Sequence, residues 1–290
     1  MKKTLLALAV VASAVVSGSA MAETGAFTGT VTFAGTIDAT DYSQNWEWKV
    51  GTGFDTYMNK ASDVQTTADG KHTLTITNKG NNTVLLGATN KAFTAPVGYG
   101  AAPNIAFAGF DSKPITLTNT GMPQNSGNAF MDIPVQDVST KSQIGTLRLK
   151  VTVAGVEMDT KEKTDTPKLH SLYSGTNTAR IFKGGIPTDI SGVEFSHSSN
   201  ALQAIQKFKG ASADQLFTQI QAATPGVQQY EQTDASSFCD MSSACGGGRA
   251  IAAAYAMGIA DNDDIVITFN DAVTQSTQWS APLTIALTYV

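Results

Sequence analysis

Three histidines, two cysteines and one acidic run are the side chains in this sequence whose chemistry could be put to work, and their spacing argues against catalysis. His72, His170 and His197 fall in unrelated contexts and read as exposed loop histidines. No Gly-x-Ser-x-Gly elbow, His-Glu-x-x-His pair or Gly-x-x-x-x-Gly-Lys loop is present to place a nucleophile, a zinc ion or a phosphate. The run Asp261-Asn262-Asp263-Asp264 starts as a calcium loop starts, but it lacks the glycine and distal glutamate that would complete one. It reads as a solvated turn, and neither a metal nor another cofactor is expected. Cys239 and Cys245 have five residues between them and Gly246-Gly247-Gly248 behind them. A redox pair would be spaced Cys-x-x-Cys above a helix start.

What remains is recognition. A sugar ring needs an aromatic surface for its apolar side and amide, carboxylate or guanidinium partners for its hydroxyls. Residues 169–180 carry such a set in His170, Tyr173, Asn177 and Arg180, the candidate receptor-binding residues. The plainer reading packs Tyr173 on neighbouring helices and leaves Asn177 and Arg180 simply exposed.

The elements that would position these groups begin with export. Lys2 and Lys3 precede an uncharged stretch over residues 5–16, and Ala20-Met21-Ala22 supplies small residues for cleavage, so residues 1–22 read as a secretory signal peptide. The mature chain is then expected to begin at Glu23. Loss of Lys2 and Lys3 moves the formal charge from -5 to about -7. An acidic surface repels phosphate backbones, which excludes nucleic acid as a natural partner. In an oxidising compartment Cys239 and Cys245 are expected to form a disulfide that staples a short loop.

Period-two alternation dominates the rest. Leu147, Leu149, Val151 and Val153 form one such set, and Ile251, Ala253, Tyr255, Met257 and Ile259 another; both read as half-buried strands. Further strands are expected near residues 74–77, 84–86, 105–107, 115–117, 265–269 and 283–289, between turns rich in Asn, Asp and Gly. A mainly β, antiparallel sandwich follows. Residues 157–234 break the pattern as a mixed α/β insertion. There Ser199 is placed to cap a helix bearing Leu202, Ile205 and Phe208, and Ser212 a second bearing Leu216, Phe217 and Ile220, stopped by Pro225-Gly226.

The two ends of the chain complement each other. Phe27, Val31, Phe33 and Ile37 alternate with threonines, with Gly25, Gly29 and Gly35 on the apolar register. Such a strand would fill a hydrophobic groove, although it would equally serve as the first strand of its own sheet. Leu283, Ile285, Leu287 and Tyr289 alternate up to Val290, with no later strand to cover them. Together the ends suggest an immunoglobulin-like sandwich that lacks its final strand and borrows one, since an uncovered edge is an aggregation hazard.

Four stretches carry a resemblance to a known family: Met1-Lys2-Lys3-Thr4-Leu5, the segment 41–53 with Trp46-Glu47-Trp48-Lys49, the strand 253–260, and residues 276–283 with Gln278-Trp279-Ser280-Ala281-Pro282. The sequence resembles the Fae-type, or K88-type, fimbrial major subunits of the chaperone-usher class over nearly its whole length. That resemblance implies a fold of residues 34–290 into one incomplete immunoglobulin-like domain. It implies a donor strand in residues 23–33, with Phe27, Gly29, Val31 and Phe33 inward, and a groove edge at Leu283, Ile285, Leu287 and Tyr289. The implied partners are identical subunits, a periplasmic chaperone, an outer-membrane usher and host glycoprotein or glycolipid glycans, at the cell surface. A minor or purely structural subunit without receptor binding is the alternative. Cys239 and Cys245 depart from the family pattern, and 157–234 matches only in patches. Trp46, Trp48 and Trp279 lie in the shared scaffold and are expected in core or inter-subunit packing.

Overall fold

Alternation turns into strands wherever one face can be buried. The computed structural model describes residues 42–94, 100–123, 125–160, 166–172, 181–187, 195–233 and 250–290. Its strands begin with β1 (Trp46–Val50), β2 (Val64–Thr66), β3 (His72–Thr77), β4 (Asn82–Thr89) and β5 (Phe93–Thr94). Next come β6 (Pro103–Ala108), β7 (Pro114–Ile115), β8 (Asn128–Asp137), β9 (Gln143–Thr160) and β10 (Lys168–Ser171). Helices α1 (Ser198–Lys207) and α2 (Ala213–Ala223) precede β11 (Glu231–Gln232), β12 (Ala250–Ile259), β13 (Asp264–Phe269), β14 (Trp279–Ser280) and β15 (Thr284–Tyr289).

The protein is mainly β. A large curled sheet runs β1-β4-β12-β9-β13-β3-β2, with β8 and β10 also on β9, β5 on β12 and β14 on β8. A smaller sheet runs β15-β6-β7. These ladders are antiparallel apart from the short β10–β11 contact. The 18 residues of β9 span two neighbourhoods: its first half lies between β8 and β13, its second between β12 and β10.

The alternation on β12 predicts one buried face, yet all ten of its residues are buried. Its second face carries Ala250, Ala252, Ala254 and Ala256, and the two helices lie on it with Leu202, Ile205, Phe208, Leu216 and Ile220. Small residues let the helices approach closely: a Cβ at Gly258 would sit 2.3 Å from the Phe208 ring. The other face belongs to the core between the two sheets, with Tyr255, Met131, Val151, Ile105 and Phe107. The stop of α2 just before Pro225-Gly226 matches expectation, but the cap of α1 does not. His197, not Ser199, is the N-cap of α1, and its ring Nδ1 accepts from the Ser199 amide at 3.2 Å. Ser212 caps α2 in a reciprocal box with Gln215.

The acidic turn after β12 is tied into the fold rather than merely solvated. Asp261 accepts from the Gly80 amide at 2.7 Å, and Asp263 pairs with Lys150 at 2.8 Å. Beside it the buried Asn78 donates to the Gly80 and Ala260 carbonyls at 2.8 Å each and accepts from Asn82. Removing such a hub leaves buried carbonyls unpaired at about 1–3 kcal/mol. Asn78→Ala is therefore expected to cost about 2 kcal/mol in urea denaturation, against near neutrality for Lys79→Ala at the exposed neighbouring position.

Candidate functional site

The last strand is the element with the most unusual surroundings. On β15 the threonines and Ala286 face outward, while Ile285, Leu287 and Tyr289 turn toward the main core yet stay only half-buried. Their neighbours on β6, Ile105 and Phe107, are fully buried. Among the described residues β15 pairs with one strand, β6. Val290 and Ala102 exchange both main-chain hydrogen bonds, at 3.0 and 3.2 Å, and this fixes the phase of the ladder. In an antiparallel pair the bonded positions alternate. Thr284, Ala286 and Thr288 therefore bond to β6, and Ile285 and Leu287 direct their N–H and C=O groups away from it.

Beside this edge lies a cavity of about 1000 Å³. Its floor is made of core side chains from the large sheet, among them Leu74, Val84, Leu147, Ile259, Ile265 and Phe269, with Ile133 of β8. Leu283 and Ile285 form one wall. Protein interiors are close-packed, with few voids larger than a water molecule, so an opening of this size onto core side chains is unusual.

Two segments form its rim. One follows β1 and carries Phe54, Tyr57 and Met58; the other precedes β15 and carries Val273 and Trp279. Tyr57 and Trp279 stack across the opening, with ring centroids 6.3 Å apart and planes 10° apart, and burial holds the Tyr57 phenol above its ordinary range. Met58 is 96% exposed and Val50 60%, and both border the cavity. At the far end of β15 the Trp48 indole donates to the Tyr289 hydroxyl at 3.1 Å, and the buried Trp46 donates to the Ala101 carbonyl at 2.9 Å. Of the three tryptophans, Trp46 is thus core, Trp48 is half-buried against it and Trp279 is rim.

Of the residues expected at a groove edge, Ile285, Leu287 and Tyr289 share one face of β15 and Leu283 directly precedes it; Leu283 and Ile285 border the cavity. The rim residues Phe54, Tyr57 and Met58 carry no periodic signal and are found only in the folded chain, whereas Val50 ends the alternation Trp46, Trp48, Val50 of β1. A second, polar cleft of about 610 Å³ between the β1–β4 edge and α2, lined by Glu47, Lys49, Asn90, Lys209, Gln215 and Gln219, is equally invisible in the sequence.

The candidate receptor residues are placed only in part. His170 sits in β10, half-buried, with Nδ1 2.8 Å from the Thr233 hydroxyl and Nε2 3.5 Å from Asp159, beside the buried Glu157. Tyr173, Asn177 and Arg180 lie outside the described residues, as do Cys239, Cys245, residues 1–22 and the arm with Phe27, Gly29, Val31 and Phe33. None of the three histidines is an exposed loop residue: His72 opens β3, His170 lies within β10 and His197 caps α1. Among the described residues no three His, Cys, Asp or Glu side chains gather as metal ligands, and no helix is long and apolar enough to cross a membrane.

Comparison with known proteins agrees over the full length. A family model described as fimbrial, major and minor subunit, matches residues 1–290. K88 fimbrial protein AB of Escherichia coli is 39% identical over 292 residues, covering all of both chains. K88 fimbrial protein AD of the same organism is 38% identical over 292 residues, again covering both chains completely. The F41 fimbrial protein of Escherichia coli is 27% identical over 297 residues with the same coverage. This chain, with its mainly β fold, therefore belongs to the K88 family of fimbrial major and minor subunits.

Proposed function

We propose that the protein is a fimbrial subunit that polymerises by strand donation and displays a receptor-binding surface, rather than an enzyme. The observation that carries the polymerisation reading is the apolar cavity lying against an edge of β15 whose Ile285 and Leu287 main-chain groups turn away from β6. A strand laid there gains main-chain hydrogen bonds and pockets for alternate side chains. Residues 23–33 of a neighbouring copy have the matching pattern, with Phe27, Val31 and Phe33 inward and Gly29 allowing close approach. Before assembly a periplasmic chaperone would cover the same edge and hand the subunit to an outer-membrane usher, after residues 1–22 are removed on export.

Deleting residues 23–33 is expected to leave a subunit that the chaperone still captures but that cannot donate, so surface fibres disappear on electron micrographs and chaperone-bound monomer accumulates. Fibres of normal length from the truncated chain would overturn strand donation by this segment.

The adhesive part of the reading rests on residues 169–180 of the insertion, with His170, Tyr173, Asn177 and Arg180 as candidate contacts to host glycans. Membership of a family of major and minor subunits leaves a purely structural role as the second reading. Glycan-array binding by a monomer completed with its own tethered arm separates the two.

A further inference from the structure

The rim of the groove has a use that the groove alone does not require. Strand donation as proposed above fixes how much edge is available: β15 is six residues long, about 20 Å at roughly 3.3 Å per residue. The alternating arm from Phe27 to Ile37 spans 11 residues, about 36 Å on the same measure. Several apolar residues of the arm must therefore overhang one end of β15.

The two ends are not equivalent. At the Tyr289 end the Trp48–Tyr289 hydrogen bond ties β15 to β1, and neither Leu287 nor Tyr289 borders the cavity. At the opposite end the cavity continues past Leu283 and Trp279 to Tyr57, Met58 and Val50. Met58 and Val50 are the large apolar side chains left most exposed among the described residues, and both stand at that end. An arm antiparallel to β15, the sense of the adjoining β15–β6 and β1–β4 ladders, would bring its C-terminal part there.

We propose that Val50, Tyr57 and Met58 form a second docking surface, reached beyond the strand groove, for the root of a neighbouring subunit's arm, and that Ile37 of that neighbour covers Met58 and Val50. This inference rests on the strand-donation reading. It adds a contact between copies of the chain outside the donated strand, made by the residues that join the arm to its own domain. The contact couples two tasks: it shields the exposed pair, and it limits the swing between successive subunits at the place where the arm leaves the groove.

Photocrosslinking in assembled fibres tests it. A benzophenone side chain is introduced as Met58→p-benzoylphenylalanine, at a position exposed enough to accept it, and separately as Thr284→p-benzoylphenylalanine on the outward face of β15. The position-284 probe is expected to join the neighbour's residues 23–33, and the position-58 probe the neighbour's residues 34–41. Ile37→Asp is expected to cut the position-58 crosslink at least tenfold and leave the position-284 crosslink unchanged. If position 284 captures the arm while position 58 reacts only within its own chain, or with residues 23–29, the rim is not a docking surface although strands are donated. If position 284 captures no arm, strand donation itself fails and the rim with it.

Discussion

A copy of residues 23–33 tethered by a flexible linker after Val290 is expected to raise the thermal midpoint of the monomer sharply, and Val31→Asp in that copy to erase the gain. Thr30→Asp and Thr32→Asp are expected to preserve it. The cavity beside β15 is lined by core side chains such as Leu147, Ile265 and Phe269, so an inward side chain from the tether exchanges water for apolar contact. Each Phe or Val so buried contributes about 1.5–3 kcal/mol. Three of them rival the ~5–15 kcal/mol that stabilises an ordinary domain. A carboxylate at position 31 would be driven against an apolar floor that includes Leu147, Ile265 and Phe269, at a desolvation cost. Positions 30 and 32 face the other way, because side chains alternate strictly along a strand. With about 2–4 °C per kcal/mol for a domain of this size, the Val31 variant should melt roughly 10 °C or more below the other two. Equal midpoints for the three variants, read by scanning calorimetry, would sink the proposed register.

Much of this fold is legible in the residues, and the exceptions share a physical origin. The alternation of Ile265, Ile267 and Phe269, or of Leu147, Leu149 and Val151, identifies strands because each has one apolar and one polar face. Ser212-x-x-Gln215 identifies a helix start because its two hydrogen bonds are local. β12 misleads because alanine is small enough to read as the solvent face of a strand, and only the helices more than 25 residues away in sequence reveal that face as buried. His197 is overlooked as a cap because Ser199 is the better capping residue by type, whereas the imidazole succeeds by geometry. Tyr57 and Trp279 are separated by 222 positions, and no local pattern announces that their rings stack across one opening. The alternation of Ile285, Leu287 and Tyr289 can be read from the sequence; the cavity beside Leu283 and Ile285 is a tertiary property.

The alanine face of β12 supplies the second large effect. Ala254→Asp is expected to destabilise the domain by about 4 kcal/mol or more, a loss reached by few single substitutions and characteristic of an unpaired buried charge. Ala254 is 0% exposed, between Ala88 of β4 and Val156 of β9 in register, in the same core as Leu216 and Ile220 of the covering helix. A strand with a solvated second face would accept the same change within about 0.5 kcal/mol, as a surface site does. The two arrangements are thus distinguished by one substitution. Should Ala254→Asp fail to accumulate, Ala254→Leu retains the test: extra methylenes in a packed layer force side chains off their rotamers at about 1–3 kcal/mol, whereas on an open face they cost almost nothing. Thr75→Asp on the exposed side of β3 is the control for a charge on a strand of the same sheet. Urea denaturation of the three variants with the groove filled by a tethered arm keeps strand donation out of the comparison. Loss of stability in both Ala254 variants, with Thr75→Asp unchanged, is the result expected of a strand buried on both faces; wild-type stability in Ala254→Leu would separate the helices from the sheet.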